Sequence, residues 1–228
     1  GRLPARFGSG TEAGRNVGGV GDENRFLASR LHGLGTTIFA EMSALAAATG
    51  AANLGQGFPD ADGPEWIREA AITAVREGAN QYPPGRGIPA LRAAVAAHQL
   101  RHYGMTFDPD SEILITAGAT EAIASAILAL AGPGDEVLTI EPFYDSYAAG
   151  IAMAGATHVT VPLVPGADGF RLDVEALAER VTERTRLILV NTPHNPTGTV
   201  LTRAELERVA EAATRVDAIV ITDEVYEH

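Results

Sequence analysis

Apolar residues from position 112 onward fall into short alternating blocks, some typical of strands and some of helices. Short runs without polar alternation predict buried strands, and longer periodic runs between them predict helices. The predicted strands are Glu112–Thr116, Glu136–Ile140, Thr157–Leu163, Arg186–Asn191 and Ala218–Thr222, and the predicted helices are Thr120–Ala131, Tyr144–Ala154, Asp173–Val181 and Thr202–Val216. Such alternation predicts an α/β fold, with a mostly parallel sheet covered by helices on both faces.

The first half of the chain is predicted to be helical between irregular loops. Thr36–Ala48 has apolar side chains at helical spacing. Pro64 and Pro89 each begin a further helix, and a glycine ends each one, which is the usual asymmetry of helix ends. Residues 1–25 are rich in Gly and Arg, so we expect a disordered extension there.

The composition excludes several kinds of chemistry within these 228 residues. All 17 basic residues are Arg, which excludes a Walker A loop, a Schiff-base lysine and a lysine general base. The absence of Cys excludes disulfides and Cys-ligated zinc. A net charge of −12 argues against a nucleic-acid partner. Apolar runs of about ten residues are too short to span a membrane, and no signal-peptide pattern is visible, so we expect a cytoplasmic protein.

Three predicted strands end in residues that could bind a ligand, at the edge where open α/β sheets bind theirs. The small-residue loop Thr116–Glu121 leads into a helix and could hold a phosphate, although a tight turn would also explain it. Residues 191–198 (NTPHNPTG) form a proline-rich turn that is equally consistent with a structural loop. Asp223 follows an apolar strand, where a buried carboxylate needs a cation such as a protonated cofactor ring; a solvated Asp is the alternative.

Other polar and aromatic residues are interpreted as structural. His98 and His102 have a spacing that suits zinc, but no acidic third ligand accompanies them in the sequence. We therefore predict an exposed helix face and no metal site. His194 is predicted to be a packing residue, and Trp66 and Tyr147 to be core or interface aromatics.

Six sequence motifs occur in one fixed order along residues 26–228. They are NLGQGFPD (53–60), NQYPPGRG (80–87), TAGATEAI (116–123), EPFYDSY (141–147), NTPHNPTG (191–198) and TDEVYEH (222–228). In this order they resemble the class I/II pyridoxal-phosphate (PLP)-dependent aminotransferases of fold type I. The most similar branch is that of the N-succinyldiaminopimelate aminotransferases, and the kynurenine/glutamine and methionine aminotransferases are also similar.

The resemblance implies a PLP site and assigns residues to it. The amides of Ala119 and Thr120 would hold the cofactor phosphate, and Tyr144 would stack on the pyridine ring. Asp223 would pair with the ring nitrogen and keep it protonated, so that the ring can act as an electron sink. Two more side chains would donate hydrogen bonds to the phenolic oxygen of the ring, namely Asn195 and Tyr226.

The resemblance also implies substrate and partner contacts. Gly57, together with Asn195, would meet the substrate carboxylate, and Tyr82 would reach the cofactor phosphate of a partner subunit. A homodimer with shared active sites follows from that contact. Residues 26–60 would form an N-terminal arm and part of a small domain, and residues 61–228 an incomplete PLP-binding large domain.

The implied activity moves an amino group, usually from glutamate, to a 2-oxo acid or semialdehyde. An N-succinyldiaminopimelate aminotransferase of lysine biosynthesis is favoured over a broad kynurenine/glutamine/methionine-type enzyme. The family's Schiff-base lysine is expected beyond His228, so we expect a longer parent enzyme, with these residues alone a catalytically inert truncated chain. A transcription regulator with an aminotransferase-like domain is disfavoured, because it needs a DNA-binding module and the chain is acidic.

Overall fold

Twelve helices and strands, preceded by a short 3-10 turn, make up the described part of the chain. The structure is a computed structural model and describes residues 26–32, 34–55, 57, 61–167 and 169–228, so the predicted extension at 1–25 lies outside the described residues. The elements are α1 (Ile38–Thr49), α2 (Glu65–Arg76), α3 (Pro89–Tyr103), α4 (Gly118–Leu130), β1 (Glu136–Glu141), α5 (Asp145–Ala154), β2 (Thr157–Gly166), β3 (Gly169–Leu172), α6 (Val174–Arg180), β4 (Thr185–Asn191), α7 (Arg203–Val216) and β5 (Ile219–Asp223). No described helix has the length and apolarity needed to cross a bilayer.

The five strands form one sheet in the order β3-β2-β1-β4-β5. Strands β2, β1, β4 and β5 are parallel, as predicted. The short strand β3 was not predicted; it turns back antiparallel to the end of β2. Because the four parallel strands point the same way, their carboxyl ends lie along one edge. There, Asn191 at the end of β4 is paired with Asp223 at the end of β5.

Helices cover both faces of the sheet, which confirms that prediction. Side chains of β4 alternate between two cores: Leu187 and Leu189 belong to one cluster, and Ile188 and Val190 to the other. The first cluster includes side chains of α4 and α5, and the second includes side chains of α6 and α7. All four β4 side chains are at most 1% exposed. The continuous apolar run in the sequence is thus explained by burial on both sides.

The predicted strand Glu112–Thr116 was wrong. Within the described residues it is irregular and pairs with no strand. Its backbone is held instead by the preceding loop, because the amide of Ile115 donates to the carbonyl of Arg86 at 3.2 Å. An apolar run has strand periodicity whether or not a neighbouring strand is present, so the sequence could not distinguish the two cases.

A capping box fixes the start of α7. The amide of Glu205 donates to the Thr202 hydroxyl at 3.2 Å, and the amide of Thr202 donates to the Glu205 carboxylate at 2.8 Å. The other carboxylate oxygen of Glu205 accepts from the amide of Leu172 at 2.7 Å. One side chain therefore begins α7 and also fastens β3 to it.

Candidate functional site

A cavity of about 280 Å³ lies at the carboxyl edge of the sheet. Six residues predicted to bind PLP line it, and they come from four separate segments of the chain: Ala119, Thr120, Tyr144, Asn195, Asp223 and Tyr226. The remaining lining residues are Ile123, Tyr147, Asn191 and Val225. The fold therefore brings residues from the α4 loop, the α5 loop and the ends of β4 and β5 around one space.

Asp223 is a buried carboxylate in this cavity, with 9% of its surface exposed. The hydroxyl of Tyr147 donates to Oδ2, and the amide of Val225 donates to Oδ1 at 3.2 Å. Among the described residues, none forms an ion pair with Asp223. A buried carboxylate with hydrogen bonds but without a counter-ion is suited to receive a cationic ligand.

Tyr147 is a site residue that sequence reasoning did not find. Its side chain is 2% exposed and belongs to the α4/α5 core, as predicted, but its hydroxyl reaches out of that core to Asp223. Burial, followed by the hydrogen bond to Asp223, raises the pKa of the Tyr147 hydroxyl, so it remains a proton donor. The one feature of the sequence that pointed to Tyr147 was its position three residues after Tyr144, which places the two side chains next to each other on a helix.

Asn191 is a second residue that sequence reasoning missed. Its side-chain amide donates to the backbone carbonyl of Asp223 at 3.0 Å, and its side-chain oxygen accepts from the amide of Asn195 at 2.7 Å. The side chain is buried at the end of β4. It therefore joins the NTPHNPTG loop to the end of β5, and so fixes the position of Asn195 relative to Asp223.

The first turn of α4 also lines the cavity. That helix begins at Gly118, whose φ of +84° requires a glycine-like backbone. The capping residue Ala117 offers only a methyl group. The amides of Ala119 and Thr120 have no intrahelical acceptor, because they lie in the first turn. Together with the positive end of the helix dipole, they could hold an anionic group.

Aromatic side chains form a further part of the lining. The ring of Tyr144 is 5.9 Å from that of Tyr147 at an angle of 81°, an edge-to-face contact. Tyr144 is half-buried and caps the start of α5. Tyr226 also lines the cavity and is 51% exposed.

A second cavity of about 420 Å³ adjoins the first and shares Tyr144, Asn195 and Tyr226 with it. Gly57 lines this second cavity, so the predicted substrate-binding residue lies beside the predicted cofactor site. Tyr82 lines neither cavity and is 98% exposed. Its predicted contact belongs to a partner subunit and stays a prediction.

The donor set of the first cavity fits PLP. The cofactor combines an anionic phosphate with an aromatic ring whose nitrogen can carry a proton. The amides of the first α4 turn suit the phosphate, and the buried carboxylate of Asp223, which has no counter-ion among the described residues, suits the protonated nitrogen. Matching groups for the two ends of the ligand therefore line one cavity.

Two further structural interpretations were tested by the fold. His194 is 4% exposed, and its ring contacts the Thr197 hydroxyl at 2.9 Å, so the predicted packing role is confirmed. Burial lowers the pKa of the His194 ring, which favours the neutral form. Trp66 is 73% exposed, so it is not a core residue of the described chain.

Comparisons with known proteins show which family the chain belongs to. The sequence profile of the family described as "Aminotransferase class I and II" matches residues 49–228. A probable N-succinyldiaminopimelate aminotransferase (DapC) of Mycobacterium tuberculosis is 60% identical over 200 residues, which cover 88% of this chain and 50% of that protein. A methionine aminotransferase of Escherichia coli is 49% identical over 200 residues, covering 88% of this chain and 51% of that protein. The chain thus spans about half the length of the curated relatives it matches.

A solved structure of N-succinyldiaminopimelate aminotransferase from Mycobacterium tuberculosis superposes with a TM-score of 0.85 at 59% identity. The match covers 88% of this chain and 52% of that one. Structures in this group have the fold type I arrangement of PLP-dependent aminotransferases. Sequence profile, sequence identity and superposition agree, and the chain therefore belongs to the class I and II aminotransferase family.

Proposed function

We propose that this chain provides the PLP-binding site of an aminotransferase. The observation that carries the proposal is that the first turn of α4 and the buried carboxylate of Asp223 line a single cavity. When bound, PLP accepts the amino group and draws electrons from the substrate's α-carbon. The family uses this cofactor, which supports the assignment.

The residues of the chain act by holding charges and protons in place. Asp223 would hold the proton on the ring nitrogen, because a buried anion favours the charged form of an adjacent base. Tyr147 and the amide of Val225 orient that carboxylate. The amides of Ala119 and Thr120 would anchor the phosphate, and Tyr144 would lie against the ring.

The second cavity is the proposed substrate side of the site. Gly57 and Asn195 both line it, and they would bind the substrate carboxylate through a backbone amide and a side-chain amide. Asn195 and Tyr226 lie on both cavities, so they would also donate hydrogen bonds to the phenolic oxygen of the ring. A substrate held there would have its amino group directed toward the cofactor cavity.

The proposed reaction transfers an amino group from glutamate to an N-succinylated semialdehyde of the lysine pathway. The similarity to the Mycobacterium tuberculosis proteins named for N-succinyldiaminopimelate supports this acceptor. The second candidate is a broad kynurenine/glutamine/methionine-type specificity, which the 49% identity to the Escherichia coli methionine aminotransferase supports. The 228 residues contain no Lys, so we propose that by themselves they bind PLP only weakly and perform no transamination.

A homodimer with shared sites completes the proposal. Helices α1 and α2 have no buried residue, and Trp66 and Ile67 of α2 are 73% and 48% exposed. Tyr82, in the loop after α2, is 98% exposed and would then contact the cofactor phosphate of the partner subunit. A cytoplasmic location belongs to the same proposal and rests on the family resemblance.

PLP binding by the 228-residue chain is the first test. Titration with PLP, followed by the absorbance and fluorescence of the cofactor, should show one saturable site per chain. Asp223→Asn should weaken binding by about tenfold or more, because it removes the counter-ion of the ring, and tenfold corresponds to ~1.4 kcal/mol. Asp62→Asn, whose side chain is 81% exposed, is the matched control and should bind normally. Unsaturable binding, or unchanged affinity in Asp223→Asn, would refute the proposed site.

The acceptor is tested with the protein that the natural gene encodes. Its transamination rates should be compared for the succinylated semialdehyde and for the oxo acids of methionine and kynurenine-type substrates, with glutamate or glutamine as donor. The proposal expects the highest kcat/KM with the succinylated acceptor and glutamate. A higher kcat/KM with the methionine oxo acid would transfer the assignment to the second candidate.

A further inference from the structure

A cluster of imidazole and carboxylate groups lies apart from the residues that line the two cavities. His98, a partly buried residue of α3, meets Glu227 and His228 of the segment that follows β5. One ligand atom from each of these three residues lies within 4.8 Å of the others. The spacing of His98 and His102 could not reveal this cluster, because its other two residues come from a segment about 130 positions away.

The distances within this cluster agree with those around a tetrahedral metal ion. The Nε2 atoms of His98 and His228 are 3.1 Å apart, and Nε2 of His228 is 3.4 Å from Oε1 of Glu227. Zinc binds such atoms at about 2.0–2.1 Å, so two tetrahedral ligands lie about 3.3–3.4 Å apart. Both measured separations are close to that value.

The carboxylate of Glu227 is oriented by a neighbour on α3. The hydroxyl of Tyr103 donates to Oε2 of Glu227 at 3.0 Å, which leaves Oε1 facing His228. That hydrogen bond is the largest cause that raises the pKa of the Tyr103 hydroxyl. Hydrogen bonds of this kind, one shell outside the ligands, commonly position metal-binding carboxylates. The turn is also fixed by the amide of Glu227, which donates to the carbonyl of Glu224 at 3.0 Å.

We propose that His98, Glu227 and His228 form a binding site for one divalent transition-metal ion, with zinc as the preferred ion. Two imidazoles and one carboxylate favour zinc over magnesium or calcium, which prefer oxygen ligands alone. The three protein ligands leave a fourth position for water. His102 lies beside the site, its ring centre 4.5 Å from that of His98, and supports that ring without ligating the ion.

The bound ion would fasten the segment after β5 to α3. This segment includes Tyr226, which lines both cavities next to Asp223. Ligation of the two neighbouring residues would restrict the positions that Tyr226 can adopt. The site therefore acts as a clamp on one wall of the PLP cavity, and because its three ligands are all protein side chains, its zinc binding can be measured without PLP.

The test is calorimetric titration of the tag-free, chelator-treated chain with zinc chloride. We expect one ion per chain, no binding of magnesium, and a higher thermal unfolding midpoint at saturating zinc. His98→Asn and Glu227→Gln should each weaken zinc binding by more than about tenfold, and Tyr103→Phe by about tenfold. His32→Asn, a histidine outside the cluster, is the control and should bind zinc as the unaltered chain does.

Two results would overturn the site. One is a lack of stoichiometric zinc binding by the unaltered chain, which would leave His98 and His228 as a hydrogen-bonded imidazole pair. The other is zinc binding that His98→Asn and Glu227→Gln leave unchanged. Circular dichroism confirms the folding of each variant, and visible absorption of the cobalt-substituted chain reports the tetrahedral ligand field directly.

Discussion

The hydroxyl of Tyr147 donates a hydrogen bond to the carboxylate of Asp223, which is buried at the end of β5. The two residues are 76 positions apart in the chain. Tyr147 belongs to the core formed with α4 and α5, and Asp223 lines the proposed cofactor cavity. Their contact links the packing of α5 to the orientation of the carboxylate that would face the PLP ring.

Tyr147→Phe should lower the free energy of unfolding by about 1.5–3 kcal/mol, because a buried carboxylate loses a charge-assisted hydrogen bond. Urea unfolding at neutral pH measures the change. Tyr82→Phe removes the same hydroxyl from a side chain that is 98% exposed, and its effect should stay within about 0.5 kcal/mol. Equal stability of the two variants would show that the Tyr147 hydroxyl contributes nothing to the fold.

Asn191→Ala should lower the free energy of unfolding by about 2–4 kcal/mol, because the carbonyl of Asp223 and the amide of Asn195 each lose a hydrogen bond. It should also weaken PLP binding, because the loop that holds Asn195 is released from β5. Asn80→Ala breaks two exposed hydrogen bonds, one to the carbonyl of Val75 and one from the side chain of Gln81, and should cost about 1 kcal/mol or less. Denaturant unfolding and PLP titration of both variants measure these effects. A mild effect of Asn191→Ala on both measurements would contradict its role as the link between the two strand ends.

Glu136→Gln should destabilise the chain near neutral pH and lose its effect in acid. The carboxylate accepts from the Thr182 hydroxyl at 2.6 Å and from Nε of Arg184 at 2.9 Å. The bond from Thr182 is the first of the interactions that hold the pKa of Glu136 below its usual value of 4.5. Because the pKa of Glu136 is lower in the folded chain than in the unfolded chain, its ionised carboxylate stabilises the fold fully above about pH 4.5. This stabilisation disappears as the pH falls through the pKa of the folded state.

Urea unfolding of this variant at pH 7 should show a loss of about 1–3 kcal/mol, and the loss should shrink toward zero in acid. Glu211→Gln is the control, because Glu211 pairs with Arg208 at an exposed position and should contribute less than about 1 kcal/mol. A loss for Glu136→Gln that is independent of pH would mean that its charge is not the stabilising feature.

Gly87→Ala should destabilise the contact between the loop before α3 and Ile115, which lies in the segment that leads to the proposed phosphate site. Gly87 has a φ of +89°, and an added Cβ would lie 2.5 Å from the Cβ of Ile115. The expected loss is about 1–3 kcal/mol, measured by thermal unfolding. Gly85→Ala, two residues earlier, meets nothing within 4 Å and should change stability by about 1 kcal/mol or less. Similar unfolding midpoints for the two variants would show that Ile115 can move aside at little cost in stability.

The sequence predicted some elements closely and failed at others for identifiable reasons. The helix begun by Pro89 and ended by Gly104 is observed as Pro89–Tyr103, because proline and glycine act on the backbone locally. The strand expected at Glu112–Thr116 failed, since a strand requires a neighbour and apolar residues alone do not supply one. The hairpin strand β3 was missed because only its pairing with the end of β2 makes it a strand.

By itself, the sequence determined the order of helices and parallel strands, and it placed Asn195 and Asp223 at strand ends. These features depend on neighbours along the chain and on the rule that parallel strands end at one edge. Only the tertiary structure decided that Tyr147 reaches Asp223, that Asn191 joins two loops, and that Glu227 and His228 meet His98. Those contacts join residues far apart in the chain, so they exist only once the helices have packed against the sheet.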